Sequence, residues 1–149
     1  MLNQTTNVEK VTDVIQVMKA GVEFYQDAVE QVNDSFVKNT FVKMASKKEA
    51  AIQALQPLAV EEQGKTEDGT SIAVDSRKLY TKFATMFTSH EDYTYVKQLE
   101  EVEDKVLQVL DNALSEKQPV EAMTILTNIR GDAQLMHDEM KALQEKTKH

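Results

Sequence analysis

Apolar side chains recur along this chain at steps of three and four residues, the spacing that lines one face of an α-helix. The first stripe is Val11, Ile15, Met18, Val22, Tyr25, Val29 and Val32, and it predicts a helix of about seven turns. Thr6 and Glu9 ahead of it have the spacing of a capping box. A companion stripe of Val14, Val17, Gly21, Phe24 and Ala28 widens the apolar arc, so this helix meets more than one neighbour.

Residues 33–35 are Asn, Asp and Ser, a polar break too short for anything but an antiparallel hairpin. Val37, Phe41, Met44, Lys48, Ala51, Leu55 and Leu58 then mark a second helix. Residues 61–70 carry Gly64, Gly69 and several charges without apolar period, which predicts a mobile surface loop extending over about residues 60–74. Leu79, Phe83 and Met86 or Phe87 mark a short helix over roughly 75–88. Ser89 and Asp92 can cap the third long helix, with Val96, Leu99, Glu103, Val106, Leu110 and Ala113 on its stripe. Pro119 suits the first turn of a fourth, where Met123, Leu126, Ile129, Ala133, Met136, Met140 and Leu143 face inward. The expectation is an all-α, single-domain four-helix bundle over 1–149, whose long second connection, containing a short fifth helix, can make the second and third helices parallel, with simple up-down connectivity as the alternative.

Composition agrees. A chain of 149 residues closes one core without staples, and only 4 Gly and 2 Pro interrupt it. The absence of Cys removes disulfides, thiolate sites and cysteine nucleophiles together. The polar start and the lack of a long apolar window predict neither a secretory signal nor a membrane span. A net charge of -8 opposes nucleic acid and anionic lipid. A cytoplasmic protein is expected.

Two positions break the apolar stripes. Lys48 and Glu103 fall where leucine is expected, and a buried ammonium demands a buried carboxylate partner because an unpaired charge is costly in a low-dielectric core. Otherwise the Lys48 stem lies along the core edge and its ammonium reaches water. Carboxylate-bridged di-iron and di-manganese bundles place Glu and Glu-x-x-His ligands at such inward positions; Glu-x-x-His is absent from this sequence.

Met18, Gly21, Tyr25 and Ala28 nonetheless stand where rubrerythrin-like proteins carry Glu, a small residue, Tyr and a small residue. Phe41, Ala45 and Leu55 match the residues flanking that family's second-helix ligands, with Lys48 and Ala51 in place of its Glu and His. Glu103, or Glu100 one turn away, matches the third-helix Glu, and Gly131, Gln134 and His137 resemble A-x-x-E-x-x-H with an amide for the carboxylate. The chain thus resembles the bacterial ferritin-like (rubrerythrin-like) families, and most of all one catalogued as a domain of unknown function. Its members share the Tyr-bearing first helix, a Glu-Asp pair such as Glu103 and Asp104, and a His-Asp pair such as His137 and Asp138.

The resemblance implies a ferritin-like scaffold with a vestigial buried polar site at Tyr25, Lys48, Glu103, Gln134 and His137, without metal or other cofactor. It implies a non-enzymatic role in association with a protein partner or a second copy, or in stress. The alternative is a divergent di-iron or di-manganese oxidase or peroxidase using Glu103, His137 and Glu100 or Glu23. Blander readings stand beside each residue: His137 as a half-exposed helical histidine or general base, Tyr25 as core aromatic, and the seven Met as gap-fillers. His90 reads as a cap residue, and neither it nor His137 carries the H-x-x-K-G pattern of phosphotransfer bundles.

Overall fold

The computed structural model describes residues 7–69 and 91–148. Four helices run through them, α1 Val11–Val29, α2 Ser35–Gln63, α3 Asp92–Leu114 and α4 Val120–Thr147, and the described residues contain no strand. The expected short helix over 75–88, Thr6, Ser89 and His90 lie outside the described residues. α1 packs along α2, α3 along α4, and α1 also lies against α3, while α2 touches α4 only thinly. Each helix therefore has two flanking neighbours, and α2 and α3 face each other across the bundle.

Hydrogen bonds at the two ends give the directions. The backbone N–H groups of Asn33 and Asp34 donate to the Asp92 carboxylate, both at 2.9 Å, so α3 starts where α2 starts. Lys146, near the end of α4, holds its ammonium 4.2 Å from the centre of the Phe36 ring at that same end. At the opposite end, Gln118 accepts from the Glu9 N–H at 3.0 Å and donates to the Glu9 carbonyl at 2.7 Å, joining the α3–α4 turn to the start of α1. α2 and α3 are thus parallel, with Gly64 and Asp92 at opposite ends of the bundle.

The helix boundaries depart from the apolar pattern for local reasons. Lys10 at φ 61° stands just before α1, so Glu9 is outside the helix and does not act as a capping-box residue. Its place is taken from another helix: the Glu62 carboxylate accepts from the N–H groups of Val11 at 2.8 Å and Thr12 at 3.0 Å, and from the Thr12 hydroxyl at 3.0 Å. A negative group there also meets the positive end of the helix dipole. α1 is 19 residues long, nearer five turns than seven. Asp34 caps α2 by accepting from Phe36 and Val37. α2 continues to Gln63, past the start expected for the loop, and stops at Gly64, whose φ of 86° costs a glycine little.

The core takes its side chains from all four helices, and the inward positions follow the stripes at most sites. Met123, expected inside, is exposed, and Ala51 is only half-buried. They lie on α4 and α2 respectively, the flanking pair in thinnest contact.

Removing the cap that α2 lends to α1 tests this arrangement. Glu62→Ala should lower stability by about 1–2 kcal/mol, read as a lower urea midpoint with unchanged slope, and Glu62→Gln should recover part of it.

Candidate functional site

Near the middle of α2 and α3 two charged side chains meet inside the apolar core. Lys48 and Glu103 are each 0% exposed, and the Lys48 ammonium donates to Oε2 of Glu103. The Tyr25 hydroxyl, from α1, donates to the same oxygen. Oε1 of Glu103 has no hydrogen-bond partner among the described residues. The Lys48 Nζ also lies 5.0 Å from the centre of the Tyr25 ring, whose negative face favours a cation. Phe41 closes the group edge-on to Tyr25, with ring centres 5.5 Å apart.

The backbone makes room for this cluster at one place. A Cβ added to Gly21 would stand 3.2 Å from Cγ1 of Val102 and 3.3 Å from Cδ and Cε of Lys48. The lysine stem passes against bare α1 backbone there, with its far end fixed by Glu103. Burial pulls the Lys48 ammonium below its usual range, and the Glu103 carboxylate opposes that pull. Burial, then the charge of Glu103, raises the Tyr25 hydroxyl well above its ordinary value.

Gln134 and His137 stand apart from this cluster, in a half-buried groove between α3 and α4. Nε2 of His137 is 2.6 Å from Oδ1 of Asp104 and 3.0 Å from Oε2 of Glu100, while Nδ1 is 3.3 Å from Oδ1 of Asp138. Gln134 donates to Asp138 at 3.0 Å and accepts from Arg130 at 2.9 Å, and Arg130 in turn pairs with Asp111 at 2.7 Å. Gln134 is therefore a link in a surface network and no part of the buried group. Desolvation pulls the His137 imidazole down, but Asp138, Asp104 and Glu100 outweigh it and raise its affinity for a proton. Desolvation and the neighbouring Asp104 raise the Glu100 carboxyl against the pull of His137 and Lys141.

The two registers considered for α3 thus divide between the clusters. Glu103 turns to the core and Glu100 to the groove, because residues three apart on a helix differ by about 60° in direction. Glu100 and Asp104, four apart, share a face. The apolar pattern does not mark Asp104 as a partner of His137. The i, i+4 spacing of Glu100 and Asp104 is a usable signal, but only the pairing of α3 with α4 sets a histidine opposite them.

The buried pair should resist removal of one member more than removal of both. Lys48→Met should cost about 3–5 kcal/mol in denaturant unfolding, since it leaves the Glu103 carboxylate buried without a counter-charge, and Lys48→Met with Glu103→Leu should restore most of it. Tyr25 makes a second expectation. Its folded value lies above the 10.0 of an unfolded tyrosine, so its contribution is intact below pH 10.0 and lost as pH rises further. Stability of the wild type should fall more steeply above pH 10 than that of Tyr25→Phe, by up to about 1.4 kcal/mol per pH unit.

The family described as a domain of unknown function, DUF2383, matches residues 6–116. That stretch runs through α1, α2 and α3 and holds Tyr25, Lys48, Glu100, Glu103 and Asp104, and it ends before α4, which carries Gln134 and His137. Neither a curated protein nor a solved structure matches the chain. Because the matched stretch, which includes the buried Tyr25, Lys48 and Glu103 cluster, takes in most of the chain, the chain belongs to the DUF2383 family.

Proposed function

We propose that this protein is a ferritin-like four-helix bundle that lacks a competent dinuclear metal centre and acts without catalysis, through association with another protein or with a second copy of itself. One observation carries the reading: the Lys48 ammonium occupies the bundle interior on the Glu103 carboxylate. Dinuclear centres in such bundles draw on several inward carboxylates and imidazoles, whose negative charge two cations balance. Here the positive charge is covalently attached, and Met18, fully buried at the α1 position where the resemblance places a Glu ligand, brings no charge at all.

The parallel course of α2 and α3 supports the scaffold assignment, since a crossover between the second and third helices distinguishes ferritin-like bundles from simple up-and-down ones. The buried pair fits a role in setting helix register, because a charge that finds its partner in only one alignment penalises every other. Surface association would draw on large apolar side chains that stay exposed on α2 and α4, among them Phe36, Val42, Val120 and Leu135. Freedom from cysteine suits a cytoplasmic setting.

Metal stoichiometry tests the central point. Full-length protein purified without chelator and then offered excess Fe(II) or Mn(II) under anaerobic conditions should take up at most one ion per chain. Two ions per chain, with dioxygen consumed on exposure to air, would overturn the reading in favour of oxidase or peroxidase chemistry.

A further inference from the structure

We propose that Glu100, Asp104 and His137 form a mononuclear site for a divalent transition-metal ion in the groove between α3 and α4. Their ligand atoms, one carboxylate oxygen from each acid and an imidazole nitrogen, all lie within 4.8 Å of one another. This site is separate from the Lys48 and Glu103 pair and does not rest on the reading of the core.

The orientation of the imidazole is the first argument. Nδ1 points to Asp138, which Gln134 holds from its other side. A metal-binding histidine commonly donates one ring N–H to a carboxylate and presents the other nitrogen to the ion. With Nδ1–H given to Asp138, the lone pair of Nε2 faces oxygens of Asp104 and Glu100 at 2.6 and 3.0 Å. Three lone-pair donors cannot face one another at that range without a positive centre between them. A proton on Nε2 meets that need through a hydrogen bond shared between the two oxygens, and a metal ion meets it by binding all three donors at once.

Spacing is the second argument. Two ligands at right angles around an ion bound at about 2.1 Å sit roughly 3.0 Å apart. The Glu100 to His137 distance matches, and Asp104 must move away by a few tenths of an ångström. It is free to do so, since its side chain is 57% exposed, whereas His137 at 14% and Glu100 at 16% are held by the groove walls. The half-open third side leaves coordination positions for water.

Charge is the third. Glu100, Asp104 and Asp138 bring three negative charges to one imidazole, and exposed Lys141, close enough to act on Glu100 and Asp138, returns one positive charge. Glu101 also acts on Glu100, so a protonated His137 offsets one of the three excess negative charges, whereas a divalent ion on neutral imidazole offsets two. Mixed oxygen and nitrogen ligands suit Zn(II), Mn(II), Fe(II) or Co(II) in preference to Ca(II) or thiophilic ions.

The test uses metal-depleted full-length protein titrated with Co(II) and Zn(II), followed by calorimetry and, for Co(II), by its visible absorption. One ion per chain is expected, with affinity falling at least tenfold in His137→Ala and in Glu100→Gln, and Asp138→Asn keeping the stoichiometry while weakening binding. Circular dichroism should show all three variants folded, as expected for residues outside the core. The double variant Lys48→Met with Glu103→Leu should bind as the wild type does; loss of the ion there would move the site to the core and overturn the proposal. No binding at millimolar metal, or a His137→Ala protein that binds normally, would overturn it as well.

Discussion

A fully buried ammonium bonded to a fully buried carboxylate ties together helices that face each other across the bundle. Such a pair gains little net stability, since the desolvation of both charges offsets most of their attraction. Its effect is on alignment. Sliding α2 against α3 by one turn, about 5.4 Å, would leave each charge among Leu, Val and Met side chains. Tyr25 extends the constraint to α1 by donating to the same oxygen, and bare backbone at Gly21 lets the lysine stem pass beside that helix. Three of the four helices are thus indexed to one carboxylate oxygen.

The fourth helix is indexed differently. α4 meets α3 along a polar seam that runs from Asp111 and Arg130 through Gln134 and Asp138 to His137, Asp104 and Glu100. The seam is half-buried, so its charges keep contact with water and need not neutralise one another completely. Charges in the core must be balanced one for one, as Lys48 and Glu103 are, whereas groups in a groove can hold an excess charge until an ion or a proton arrives. The separation of the two clusters by about 60° on α3 allows one helix to serve both.

The ends of the bundle repeat the theme of one helix completing another. Glu62 of α2 caps α1, Asp92 of α3 binds the turn before α2, and Gln118 binds the residue before α1. Each uses a side chain distant in sequence to satisfy backbone N–H groups in the first turn of a helix or just before it. Caps of this kind couple helix formation to tertiary assembly, because an isolated α1 would have only water as acceptor for the N–H groups of Val11 and Thr12.

Periodicity alone was enough to set four helices, their approximate limits and most of their inward faces, because burial of an apolar stripe is a local property of a helical chain. It also marked Lys48 and Glu103 as charges on those faces. Other features are pairings between distant segments, which carry no local signature. The expected capping box at Thr6 and Glu9 gave way to Glu62 because a carboxylate from α2 reaches the same N–H groups. The opposite ends of Gly64 and Asp92, the choice between Glu100 and Glu103, and the separation of Gln134 and His137 from the core all depended on which helices pack together. Composition and spacing determined that this chain is a helical bundle with polar residues out of place; the packing of α3 against both α1 and α4 decided which of those residues meet, since a side chain's partners are fixed by helix rotation and neighbour identity, and neither is written in one helix alone.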